Sequence, residues 1–96
     1  MSVLVLLEPE AAEGKVDEMI ETFRTVLVDT RAFDGCESVT VHRDQDSPNR
    51  LVLVERWASR PHYERYLQWR AERGDLDRLG ALAVGPPVIR YFDEVG

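Results

Sequence analysis

The first apolar run, "SVLVLLE" at residues 2–8, is dense in Val and Leu and reads as a buried strand that Pro9 ends. From Ala11 to about Asp29 the period changes. Val16, Met19, Ile20, Phe23, Val26 and Leu27 stand at i, i+3, i+4, i+7, i+10 and i+11, one stripe of a helix whose other face is charged. After a turn at Asp34 and Gly35, Val39 and Val41 alternate with Thr40 and His42, which predicts a second strand over about 36–43. "DSPN" at 46–49 is a turn and "RLVLVERW" a third strand, so the two form a hairpin. Ser59 can cap a second helix with Pro61 in its first turn, and that helix carries Tyr63, Tyr66, Leu67 and Trp69. Gly74 breaks it, "LDRLGAL" offers a further helical turn, and "GPP" resets the chain for a last strand, "VIRYFDEV".

The predicted order is β-α-β-β-α-β within one domain spanning residues 1–96, an α+β, ferredoxin-like fold with an antiparallel sheet and both helices on one face. The third strand exposes the difficulty of that design. Leu51, Leu53, Glu55 and Trp57 point one way and Val52, Val54 and Arg56 the other, so both faces are largely apolar. One face meets the helices. The other is expected to be covered by a second copy, because a 96-residue chain builds a single small core.

Charge narrows the partners. With 18 acidic against 12 basic side chains the net charge is −6, and no cluster of Lys or Arg offsets it, so nucleic acid is not an expected partner. The N-terminus has no basic n-region, and its apolar run is far too short for a membrane span. A cytoplasmic protein without membrane contacts is the expectation. Cys36, the one cysteine, cannot form an internal disulfide and lacks nearby partners at metal-ligand spacing, so it reads as a small buried residue.

The densest chemistry lies in "LVLVERWASRPHYERYLQW", residues 51–69, with two tryptophans and two tyrosines. Residues 30–66 resemble the antibiotic biosynthesis monooxygenase family of the dimeric α/β-barrel superfamily. The resemblance rests on Arg31 ahead of Gly35-Cys36, the hairpin, then Glu55-x-Trp57 followed by Ser59 and a short helix. It implies a homodimer whose two sheets form a barrel, with a pocket in each subunit between sheet and helices. It also implies oxygenation of a small polycyclic phenol, anthrone or quinol by O2 with no metal or other cofactor. Trp57 and Tyr63 keep the Trp-to-Tyr spacing of the anthrone-oxidising members, whose Asn four residues before the Trp is Leu53 here. The haem-degrading members carry a His where this chain has Tyr66, and an Asn on a first strand that here reads "VLVLLE". Haem degradation is therefore the lesser reading.

Ground-state O2 is a triplet, and a phenolate or carbanion can transfer one electron to it, so such an oxygenase needs a dry aromatic pocket that favours a deprotonated substrate. Trp57, Tyr63 and Tyr66 are the catalytic candidates, Trp57 stacking on the substrate and offering its indole N–H, the tyrosines hydrogen bonding to the developing oxyanion. Leu53, Glu55, Trp69 and His42 are the candidates for substrate binding. Glu55 reads first as a structural carboxylate paired with Arg31 or Arg90, with a base role open if apolar surroundings raise its pKa. His42 and His62 are the side chains that titrate near neutrality unperturbed. Spacing alone favours plain core over catalysis for Trp57, Tyr63 and Leu67, and fits Trp69 as a surface or dimer-interface aromatic. The charge run "RAERGDLDR" reads as a solvated helix end. A non-catalytic dimeric module that binds an aromatic metabolite or serves in assembly is the alternative function.

Overall fold

The computed structural model describes residues 2–96. Its elements are β1 (Val3–Glu8), α1 (Val16–Ala32), β2 (Cys36–Arg43), β3 (Leu51–Trp57), α2 (Arg60–Glu72), α3 (Asp75–Gly80) and β4 (Val88–Phe92). The strands form one antiparallel sheet in the order β2-β3-β1-β4, with the helices on one side, and this is the ferredoxin-like α+β fold that the hydrophobic pattern predicts. Ser59 does cap α2, its hydroxyl accepting the His62 backbone N–H, and Pro61 sits in the first turn.

The helix boundaries differ from the periodic pattern for a physical reason. The helix expected from Ala11 begins at Val16, because residues 10 and 11 are drawn into bridges with Arg50 and Ala83, and the Ala11 N–H donates to the Asn49 carbonyl at 2.7 Å. Gly14, at φ 78°, makes the turn between bridge and helix. At the other end β4 stops at Phe92, the last residue with a partner on β1. Gly35, at φ 89°, lets the α1–β2 turn lie against α2, since a Cβ there would stand 2.5 Å from the His62 ring.

The register fixes what each face presents. Val5 pairs with Glu55 and with Tyr91, and Leu7 with Leu53 and with Ile89, so these side chains rise together beneath the helices. Met19, Phe23, Val26 and Leu27 of α1 close one half of this core, and Tyr63 and Tyr66 of α2 close the other around Trp57. On the opposite face Leu4, Leu6, Val52, Val54 and Phe92 form an apolar field that no element of the chain covers.

Candidate active site

Glu55 occupies the middle of β3, paired with Val5 on one side and Val39 on the other, and it is only 2% exposed. A carboxylate in such a place is expected to hold a cation, but among the described residues Glu55 holds none. Arg31 donates to the Val39 carbonyl at 3.1 Å and Arg90 pairs with Glu8 at 3.6 Å, which corrects the expected pairing of Glu55 with either. Its one hydrogen bond comes from Trp57, whose Nε1–H donates to Oε1 at 3.0 Å across two residues of the same strand face. Burial pushes the Glu55 carboxyl up to about 7, and the indole N–H only partly offsets this. Near neutral pH the group therefore exists in both protonation states, which a group that takes a proton and returns it requires.

Tyr63 is fully buried, its ring edge-on to Trp57 at 5.5 Å and to Tyr91 at 5.9 Å. Its hydroxyl has no hydrogen-bond partner among the described residues. A buried O–H left without a partner costs about 1–3 kcal/mol, a cost that a ligand oxygen accepting from it would relieve. Tyr63 and Glu55 both line a cavity of about 40 Å³ enclosed by Leu7, Phe23, Leu53 and Leu67. Against it lies a larger chamber of about 540 Å³, bounded by Leu7 and Ile89 of the sheet, Met19 and Phe23 of α1, Leu67 of α2 and α3. The first is small and carries the polar atoms; the second is lined wholly by apolar residues and glycine.

The remaining candidates fall elsewhere. Tyr66 lines the inner cavity, but its hydroxyl is already held by Thr30 Oγ1 at 2.6 Å and by the Arg70 Nε–H at 2.9 Å. A haem iron at this phenol would have to displace those partners inside a cavity of about 40 Å³, so the residues do not fit that group. Trp57 is completely buried among Phe33, Tyr63 and Tyr66 and lines neither cavity; it touches the site through its bond to Glu55 and is not placed to stack on a substrate. Trp69 packs on Phe33 at 5.1 Å with the Arg70 and Arg73 guanidinium groups over its ring, away from both cavities. His42 lies on the bare face of the sheet opposite Val52, its Nε2 2.9 Å from Thr40 Oγ1, with the whole sheet between it and Glu55. His62 stays in the first turn of α2, its Nδ1 2.6 Å from Ser59 Oγ. Leu53 lines the inner cavity.

One feature of the site was not read from the sequence. Arg70 and Asp75, which the charge run places on a solvated helix end, are instead 2% and 1% exposed and paired at 2.8 Å. Arg70 also donates to Thr30 Oγ1 at 3.0 Å, and Arg73 and Arg78 reach the same Asp75 carboxylate from outside. This network joins α1, α2 and the start of α3, and it holds Leu76 and Leu79 of α3 against the cavities. Those cations hold the Asp75 carboxyl below its ordinary range although burial acts the other way. The signal was present in spacing: Tyr63, Tyr66 and Arg70 share one helical stripe.

A family model described as antibiotic biosynthesis monooxygenase matches residues 2–71. No curated protein matches the chain. Among solved structures, a conserved protein from Methanosarcina mazei superposes with a TM-score of 0.88 at 15% identity, covering 99% of this chain and 94% of the other. Rv0793 from Mycobacterium tuberculosis gives 0.86 at 21% identity over 100% and 97% of the two chains. A crystal structure described as an antibiotic biosynthesis monooxygenase gives 0.86 at 17% identity over 98% and 99%. At these identities the structural likeness speaks for the fold.

Proposed function

The chain belongs to the antibiotic biosynthesis monooxygenase family, and from that premise we propose that it oxidises a small phenol, anthrone or quinol with O2, with Glu55 as the base. The observation that carries this reading is a buried carboxylate, paired with no cation among the described residues and pushed up to about 7 by burial, that lines the same small cavity as a tyrosine with an unpartnered hydroxyl. For an anthrone, Glu55 takes a proton from the CH2 group, and the electron pair left behind delocalises onto the ring oxygen. Tyr63 O–H, which has no partner of its own among the described residues, donates to that oxygen and stabilises its charge. The anion transfers one electron to O2, the radical pair combines into a C–O bond, and protonated Glu55 returns its proton to the terminal peroxide oxygen. Loss of the remaining C–H proton with cleavage of the O–O bond releases water and leaves a carbonyl, so CH2 and O2 become C=O and H2O. Trp57 acts at one remove by orienting the carboxylate.

The test is oxygen uptake by metal-stripped protein offered a panel of anthrones and quinols, with Glu55→Gln alongside. Uptake that scales with protein and is lost in Glu55→Gln supports the enzyme. Saturable binding of the same compounds without uptake supports the binding module instead.

The same reading includes a homodimer in which a second copy covers the face bearing Leu4, Leu6, Val52, Val54 and Phe92, the last 39% exposed. Replacing Val52 and Val54 together by Asp is expected to abolish association, and sedimentation equilibrium on the parent checks the premise. A parent that sediments mainly at 11.0 kDa at micromolar concentration contradicts it.

A further inference from the structure

The two cavities differ in chemistry as well as in size. The inner one, of about 40 Å³, is lined by Glu55 and Tyr63 together with Tyr66, Arg70 and Asp75; the outer one, of about 540 Å³, presents no polar side chain. Leu7, Phe23, Leu67, Leu76 and Leu79 line both, so these side chains alone stand between them. Leu67 is half-buried and Leu76 is 40% exposed, which leaves both freer to change rotamer than Phe23 at 4%. We infer that the outer chamber is a subsite for an uncharged hydrocarbon substituent, so that the substrate is a neutral amphiphile whose hydroxylated ring reaches Glu55 and Tyr63 past Leu67 and Leu76.

The inference rests on the proposed reading for the head of the molecule and on the outer chamber for its tail. A carboxylate or phosphate on the tail would be desolvated there with no cation to meet it, since no lining residue is charged. Each buried methylene, by contrast, strengthens binding about fourfold. The chamber is larger than the inner cavity, and so the greater part of the binding energy lies in the substituent while the chemistry lies in the head. Recognition of the tail needs no base.

The experiment measures dissociation constants of para-alkylphenols from para-ethylphenol to para-octylphenol on the intact protein at neutral pH, by calorimetry. Affinity is expected to rise about three- to fourfold per methylene over the shorter members and then level off. A compound with the same chain ending in a carboxylate is expected to lose most of that gain. Methyl NMR on the parent is expected to show shifts at Leu76, Leu79 and Ile89 that grow with tail length. Leu76→Trp, at an exposed position, is expected to make affinity level off at a shorter tail. Affinity independent of tail length, equal binding of the carboxylated compound, or shifts confined to other methyl groups overturns the proposal. Because the readout is binding, a steep dependence on tail length without oxygen uptake would overturn the oxygenase reading and leave the subsite standing. Uptake with no dependence on tail length would do the reverse.

Discussion

Replacing Glu55 by Gln is expected to weaken activity and, above neutral pH, to remove a stability cost that the native protein carries. The carboxyl titrates at about 7 in the folded chain against an ordinary 4.5, and it is almost completely buried, so solvent screening takes little from the effect. Below pH 4.5 the group is protonated in both states and folding is indifferent to it. Between the two values the folded chain retains a proton that the unfolded chain has released, so stability falls as pH rises, by about 1.4 kcal/mol per pH unit. Above pH 7 the full contribution, about 3 kcal/mol, has been lost. Gln removes this titration while its side-chain oxygen still accepts the Trp57 N–H. Its amide protons add an offset that is the same at every pH, so the quantity to read is the change in the difference between parent and variant. Urea unfolding of both proteins at pH 5 and pH 8, at equal protein concentration, measures it. The difference should move by about 2.5 kcal/mol in favour of the variant on going to pH 8. Curves that stay parallel across that range would refute the assignment of a raised pKa to Glu55.

Tyr63→Phe removes the unpartnered hydroxyl and keeps the ring, so the fold should be unchanged or up to about 1 kcal/mol more stable by urea unfolding, while steady-state oxygen uptake falls about a hundredfold. Asp75→Ala leaves Arg70 buried without its carboxylate and should cost about 3 kcal/mol in the same unfolding assay; an effect below about 1 kcal/mol would show that Tyr66 and Thr30 suffice for Arg70. Trp57→Phe should cost about 1–2 kcal/mol, and because the indole N–H favours the charged carboxylate, its loss should move the acidic limb of the uptake-against-pH profile to higher pH.

The sheet and its two long helices were legible because their apolar residues recur at the periods those elements impose, as Val16 to Leu27 do along α1. The start of α1 was not, because residues 10 and 11 answer to bridges with Arg50 and Ala83 that no local pattern carries. Within the site, Leu53, Glu55 and Tyr63 stand out as candidates through strand alternation and through the family's Trp-to-Tyr spacing. The division of labour among them was hidden. Whether Glu55 meets an arginine depends on where Arg31 and Arg90 point, and both turn to other acceptors. Trp57 and Tyr63 have equal claims as sequence, yet Trp57 packs among Phe33 and Tyr66 and lines neither cavity, while Tyr63 lines the inner one with its hydroxyl unpartnered among the described residues. Arg70 and Asp75 looked like solvated charges because a helix end normally is one, and only the third element, α3, turns their pair inward.

The central claim is that the carboxyl of Glu55 exchanges its proton near neutral pH inside an apolar site. Carbon-13 NMR of the side-chain carboxyl carbons in glutamate-labelled protein, with Glu55 assigned by its absence from the Glu55→Gln spectrum, follows that proton directly. The Glu55 resonance is expected to show a midpoint at about 7. A Glu55 midpoint near the ordinary 4.5 would contradict it, and with it the base on which the proposed chemistry depends.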